Sequence, residues 1–430
     1  MYKKFVLLVF IYALFGFKLS LSGSIDGSDS GGVLSSIRID DVLLLVFILC
    51  YFFKKNKLIA VFKKKPIFIF LLYISFCIFS TIYNYIGNNI ELLSGVLFSI
   101  RPFEYLLYVF VGYEIARYGY SFKKILTVYV YYCIALVLAQ MNGLIGGLTS
   151  FSFDRAIANT GGPWELAAVS AFLSCYFFEN RYVVRSALSF FILILTQSRI
   201  TLAGTLLVFL AGNFKKTISL LKNKYVFVSF LGAILLANMY VLYLTTGYSN
   251  ATFKIPEVYN RIESFFDAST LNKIKDIYST GKVAENKDVY FDYTYGDGLN
   301  EIMMNDGDLS AYIRFTRWAM LIKTTCNSLD SFIFGLGASF AGKAVDGNYT
   351  RLFAENGFVG LILYCFFLIT FLRETKDKII RNYLYILMIT ALFIDIFVTQ
   401  KAMLLLWIYY GVYLKEKDDN SHREEYRDKI

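Results

Sequence analysis

Pro66-Ile67-Phe68-Ile69-Phe70-Leu71-Leu72-Tyr73-Ile74-Ser75-Phe76-Cys77-Ile78-Phe79-Ser80-Thr81-Ile82-Tyr83-Asn84-Tyr85-Ile86 holds no charged side chain and follows the basic run Lys63-Lys64-Lys65. A helix rises 1.5 Å per residue, so about 20 consecutive apolar residues cross the roughly 30 Å hydrocarbon core of a bilayer. The stretch therefore reads as a membrane-spanning helix whose lysines stay in the cytoplasm, where basic residues accumulate in short loops. Comparable runs recur near residues 4–21, 39–53, 96–116, 125–142, 163–179, 183–196, 199–212, 225–245, 355–372, 382–398 and 402–414. Together they predict an all-α polytopic membrane protein of about 12 transmembrane helices, interrupted by one long extracytoplasmic loop that contains short helices.

The whole composition agrees with that class. The chain is 57% hydrophobic and 18% aromatic with a mean hydropathy of +0.52, and its four prolines leave little room for a proline-rich linker. The runs divide it into an N-terminal membrane bundle of about nine spans over 1–246, a polar loop over 247–354, about three spans over 355–414 and a charged tail over 415–430. Unstructured connections beyond about 12–15 residues are usually functional or disordered. The aromatics, arginines and carboxylates of the long loop favour function.

Basic residues alternate from one connection to the next. Lys54, Lys55 and Lys57 with Lys63 to Lys65, then Arg117, Lys123 and Lys124, then Lys215, Lys216, Lys222 and Lys224, then Arg373, Lys376, Lys378 and Arg381 all fall in alternate connections. Both termini are thus expected in the cytoplasm and the long loop outside. The net charge of +10 is spread over these loops as topology signals and contacts to anionic membrane lipid, which excludes nucleic acid as the expected partner. Cys50, Cys77, Cys133, Cys175 and Cys365 lie in apolar runs and only Cys326 in the loop, so no disulfide framework is expected. The first run follows Lys3 and Lys4 and ends in the small residues Ser20 to Ser24, like a signal peptide; we read it as a retained anchor.

A charge at mid-bilayer costs about 2.5–3.5 kcal/mol on insertion scales, so charged residues in or beside the spans are informative. Arg101 and Glu104 share a helix face, either as an ion pair or with Arg101 lining a polar cavity. Glu114 is expected at the cytoplasmic interface, and Asp395 is expected to pair with Lys401. In the outward connection Phe153-Asp154-Arg155-Ala156-Ile157-Ala158-Asn159-Thr160-Gly161-Gly162-Pro163-Trp164-Glu165, a glycine-bearing loop leads into a helix with proline near its first turn. Arg155 and the free N–H groups of that helix suit an anion such as phosphate, and a tight loop capped by Glu165 fits the same residues. The short turn Thr196-Gln197-Ser198-Arg199 leaves Arg199 at the outer boundary, facing lipid phosphate or a cavity.

Late in the chain come Arg314, Arg317 and Trp318, then Phe334-Gly335-Leu336-Gly337, then Asp346-Gly347-Asn348-Tyr349-Thr350-Arg351 with Gly357 and Gly360 beyond. With the Arg155 loop and the Thr-x-Ser-Arg turn, these motifs resemble the O-antigen polymerase and ligase family of bacterial polysaccharide assembly. The resemblance spans Asp154 to Gly360 and the topology. It implies residence in the bacterial plasma membrane and transfer of a glycan from undecaprenyl pyrophosphate to another lipid-linked repeat unit. An undecaprenyl-pyrophosphate-linked oligosaccharide is then both donor and acceptor, with a chain-length regulator protein as a further partner. Ligases of the family are expected to place a histidine beside the asparagine before the following span. The single histidine here is His422 in the tail, which favours polymerase over ligase.

On that reading Asp346 is the first-choice general base and Glu165 the second. Arg101, Arg155, Arg199, Arg314, Arg317 and Arg351 are the substrate-binding candidates, because fixed guanidinium groups stabilise a leaving pyrophosphate. Each has a plain competitor: Arg351 and Glu355, four apart, fit an intrahelical pair, and Arg314 and Arg317 fit a solvated helix face. No cofactor is expected. No metal is expected either, since Asp297 and Asp306-Gly307-Asp308 lack the spacing of a calcium loop and read as turns. The alternatives are a lipid-linked oligosaccharide flippase or other transporter, against which the unequal division of spans argues, and an O-antigen ligase.

Overall fold

The computed structural model describes residues 2–17, 38–54, 61–145, 155–221, 268–279, 283–284, 309–342 and 345–427. The expected span at 225–245, Asp154, just under half of the 247–354 loop and the acidic residues Asp297, Asp306 and Asp308 lie outside them. Among the described residues no strand forms, and the helices are α1 Tyr2–Phe15, α2 Ile39–Lys54, α3 Lys65–Ile86, α4 Leu92–Arg117, α5 Phe122–Met141, α6 Pro163–Glu179, α7 Val183–Leu195, α8 Arg199–Leu221, α9 Ala268–Ser279, α10 Leu309–Thr325, α11 Leu329–Phe334, α12 Asn348–Glu374, α13 Lys378–Thr390 and α14 Gln400–Arg427. Four of them, α3, α4, α5 and α12, are long and apolar enough to cross a membrane. The chain is therefore an all-helical protein of membrane character.

The ends of these helices follow from local chemistry. Pro66 stands in the first turn of α3 and Pro163 in that of α6, where the missing N–H has no helical partner to lose. Ser121 caps α5 by accepting from Lys124 N, and Asp377 caps α13 by accepting from Ile380 N. On the outside, Leu45, Phe52 and Phe68 are exposed along with many other large apolar side chains. In water so broad an apolar surface would drive association; against lipid it is the matching face.

Between membrane helices the stabilisation is dispersion and close packing, because lipid tails are as apolar as leucine. α14 runs through the centre and packs against α4, with Gly411 against the backbone of Val109 and Gly112 against that of Ile408. Neither position has space for a β-carbon. An aromatic column fills the space between α3, α12 and α14: Phe70 meets Phe367 at 4.4 Å between ring centroids, and Phe371 stacks on Trp407 at 5.4 Å.

Two features differ from the sequence expectations. α12 begins at Asn348 and is broken at Gly357 (φ 65°, ψ −169°), so the long helix is two segments meeting at a kink. Gly335, also left-handed at φ 79°, fits backbone to backbone against the break. Leu336 N and Gly337 N donate to Ala354 O (2.8 Å) and Glu355 O (3.0 Å), while the Ser80 hydroxyl and Asn84 amide of α3 donate to Phe334 O and Gly335 O. The Phe-Gly-Leu-Gly motif is thus a latch filling a helix break, and glycine is required at 335 and 357 because a β-carbon on either would strike backbone. Second, α13 ends at Thr390 rather than near residue 398, leaving Asp395 in a non-helical connection that contains one 3-10 turn, Ile396–Val398.

Candidate functional site

Buried polar side chains collect at one end of the helices, where α1, α5, α7 and α13 finish and α2, α6, α8, α12 and α14 begin. The connection 391–399 and the first residues of α14 tie this layer together. Asp395 accepts three successive backbone N–H groups, from Val345 (2.7 Å), Asp346 (3.2 Å) and Gly347 (3.2 Å). Arg351 donates to Asp395 at 3.0 Å and to Glu355 at 3.1 Å, and is only 2% exposed. Asp395 therefore pairs with Arg351 and not with Lys401, because the turn after α13 brings it over the first turn of α12. Burial by itself would push the Asp395 carboxyl up; Arg351 and the N–H groups outweigh it and hold the acid below the ordinary carboxylate range.

Above this frame sits Asp346. Its backbone is left-handed (φ 56°), a conformation few non-glycine residues adopt and Asp and Asn tolerate best. Its carboxylate is 48% exposed and meets Arg314 of α10 at 3.3 Å. One turn on, Trp318 donates its indole N–H to Val345 O at 3.0 Å and lies over Gly347, where any side chain would collide with the ring. Arg317, between them, is 6% exposed. Of the two α10 arginines expected to bind substrate, Arg314 is the one whose pairing with an accessible carboxylate is defined.

The second group is the Arg155 loop. Arg155 Nε donates to Thr196 O at 3.1 Å, and Ala156 N to Leu195 O, which fastens the loop to the end of α7 directly before Arg199. Ala158 is left-handed (φ 51°) and held by the Gln140 side chain, which bonds both its N–H and its carbonyl at 2.8 Å. Glu165 is 1% exposed; it accepts from Gly161 N at 2.7 Å and from Lys401 N at 2.6 Å. The capping role foreseen for Glu165 is present, with Lys401 of the distant connection added. The Lys401 ammonium in turn donates to Leu14 O (3.0 Å) and Gly16 O (2.7 Å), and Asn159 donates to the same carbonyls. A cation at the end of α1 also suits the negative end of that helix.

The third group surrounds Arg101, which donates to Glu104 (3.0 Å), as its three-residue spacing suggests, and to Asp41 (3.1 Å). Arg38 joins them, bonded to Gln400 at 2.8 Å and paired with Asp41 at 3.5 Å, while Gln400 donates onward to Asp40. Asp40, Asp41 and Glu104 bring one oxygen each within 4.8 Å of one another, a hard-cation donor set, but Arg38 lies within 3.9 Å of all three carboxylates and Arg101 within 3.1 Å of two. Arg101 thus serves a half-buried charge network. Glu114, near the end of α4, is buried within the protein, with Arg117 beside it at 3.2 Å.

The structure brings Arg155, Arg199, Glu165, Arg314, Asp346 and Arg351 to one end of the bundle. Gln400 and Arg38 are members that sequence reasoning did not assign, and Asp395 and Lys401, expected as a pair, join the group through other partners. Their signal was the polar run Thr399-Gln400-Lys401 with Asp395 between two apolar helices. No protein-family model, curated protein or solved structure matches the chain.

Proposed function

We propose that this protein is a polysaccharide polymerase that transfers a glycan from undecaprenyl pyrophosphate to a second lipid-linked repeat unit at the outer face of the bacterial plasma membrane. On this reading about 12 helices cross the membrane, both termini are cytoplasmic and the polar end of the bundle faces outward. One observation carries the proposal. An accessible carboxylate, Asp346, sits beside Arg314 on a backbone segment hydrogen-bonded to Asp395, at the same end as the Arg155 and Arg199 loops.

In the reaction, Asp346 takes the proton of the acceptor hydroxyl as its oxygen attacks the anomeric carbon of the donor sugar. The bond from that carbon to phosphate oxygen breaks, and undecaprenyl pyrophosphate leaves with the electron pair. Its growing charge meets Arg155, Arg199 and Arg314, each charge-assisted hydrogen bond contributing about 1.5–3 kcal/mol. Arg351 and Glu165 hold the frame: one is closed between two carboxylates, and both oxygens of the other accept backbone N–H groups.

The test is the purified full-length chain in liposomes with a synthetic undecaprenyl-pyrophosphate-linked repeat unit. A ladder of longer lipid-linked glycans with release of undecaprenyl pyrophosphate is expected. Movement of units between leaflets without elongation would instead identify a flippase, and transfer only to a lipid A core acceptor a ligase. In cells, a deletion strain that still makes long polymer refutes the proposal.

A further inference from the structure

Asp395 and Asp346 are 49 residues apart, yet one carboxylate fixes the backbone beneath the other. Three consecutive N–H groups can converge on a single acceptor only where the chain curls into a concave nest, and such a nest alternates backbone conformations. The segment does so: Asp346 is left-handed at φ 56°, and Gly347, with φ −177°, is extended. With its N–H turned inward to Asp395, the Asp346 side chain leaves the curl on the exposed side, where Arg314 meets it.

The anchor is itself immobilised. Arg351 holds the Asp395 carboxylate at 3.0 Å, Phe397 N donates to the Asn348 side-chain oxygen at 2.9 Å, and Asn348 N donates to Ala391 O at 2.9 Å. These bonds lace the start of α12 to the 391–399 connection in both directions. They also place a guanidinium on Asp395, offsetting the repulsion between two acids whose chains meet within one turn. We propose that Asp395 is the positioning residue for Asp346, the group that sets the direction of the candidate base without touching substrate. The inference rests on the reaction proposed above.

The experiment uses the full-length protein in the liposome assay, with Asp395→Asn as the first variant. Asparagine keeps the shape and removes the charge that gathers three N–H groups. Losing charge-assisted hydrogen bonds is expected to speed hydrogen–deuterium exchange in the peptide containing residues 345–347 by about 10- to 100-fold. At saturating lipid-linked substrate kcat should fall by a similar factor, roughly tenfold or more, while KM changes less than about twofold. If Asp395→Asn fails to fold, Asp395→Glu is read instead; it keeps the charge but displaces it by one methylene, and the same direction is expected with a smaller gain in exchange. Unchanged exchange overturns the inference, as does faster exchange with unchanged kcat, or a change confined to KM. A wild-type chain that protects these amides yet elongates nothing defeats the reaction itself, and the positioning role with it.

Discussion

Replacing Arg351 with alanine separates a structural cation from a substrate ligand. The guanidinium lies between Asp395 and Glu355 at 3.0 and 3.1 Å and is 2% exposed. Removing it leaves two buried carboxylates without their shared counter-charge, a loss of about 3–5 kcal/mol for a broken buried pair. At tenfold per roughly 1.4 kcal/mol, the folded-to-unfolded ratio falls by about two to three and a half powers of ten. With an unfolding entropy of about 2.1 cal/mol/K per residue over 430 residues, the apparent Tm should fall by roughly 3–6 °C. The assay is a melting curve of the detergent-solubilised protein by fluorescence-detected size exclusion, with membrane abundance measured in parallel. Arg351→Lys should fall between, because one ammonium cannot reproduce the two-pronged contact of a guanidinium. An Arg351→Ala protein that melts with the wild type but no longer elongates glycan would refute the reasoning and return Arg351 to the substrate.

Asp346→Asn should melt within about 1 kcal/mol of wild type and abolish elongation, since asparagine tolerates the left-handed backbone and the lost pair with Arg314 is half-exposed; Asp346→Ala should destabilise by about 1–2 kcal/mol more, and equal melting of the two would argue against strain at this residue. Gly335→Ala places a β-carbon 2.5 Å from Asn356 N at a left-handed position, and the variant should not accumulate in membranes on a quantitative blot. Lys401→Met removes one of two side-chain donors to the Leu14 and Gly16 carbonyls, leaving the Asn159 amide; a Tm drop corresponding to about 1–3 kcal/mol is expected, and an unchanged Tm would remove Lys401 as the tie to α1. Arg155→Ala and Arg199→Ala should lose elongation at normal abundance, so activity in both would take them out of the site.

Some of the site was legible before any fold was known. The pairs Arg101–Glu104 and Arg351–Glu355 are three and four residues apart, and helix periodicity alone puts such side chains on one face. The glycines of Phe334-Gly335-Leu336-Gly337 were visible as a motif, but their purpose was not. The latch they form needs the break at Gly357, and nothing local in either stretch announces the other. Asp395 was misassigned for the same reason. Lys401 is the nearest cation along the chain, whereas the turn after α13 carries Asp395 to Arg351, 44 residues away.

The sequence by itself determined the helical class and the membrane character. Both depend on quantities that add residue by residue: apolar length against bilayer thickness, and the basic residues that flank each run. Only the tertiary structure decided which arginines are sealed into the frame and which face outward. Arg351 and Arg314 belong to the same residue type and stand close in the chain, yet one is closed between two carboxylates and the other meets an accessible aspartate. That division is set by contacts between residues tens to hundreds of positions apart, joined where helix ends meet. Burial and charge pairing at such junctions belong to the packed assembly, and no single stretch of sequence contains them.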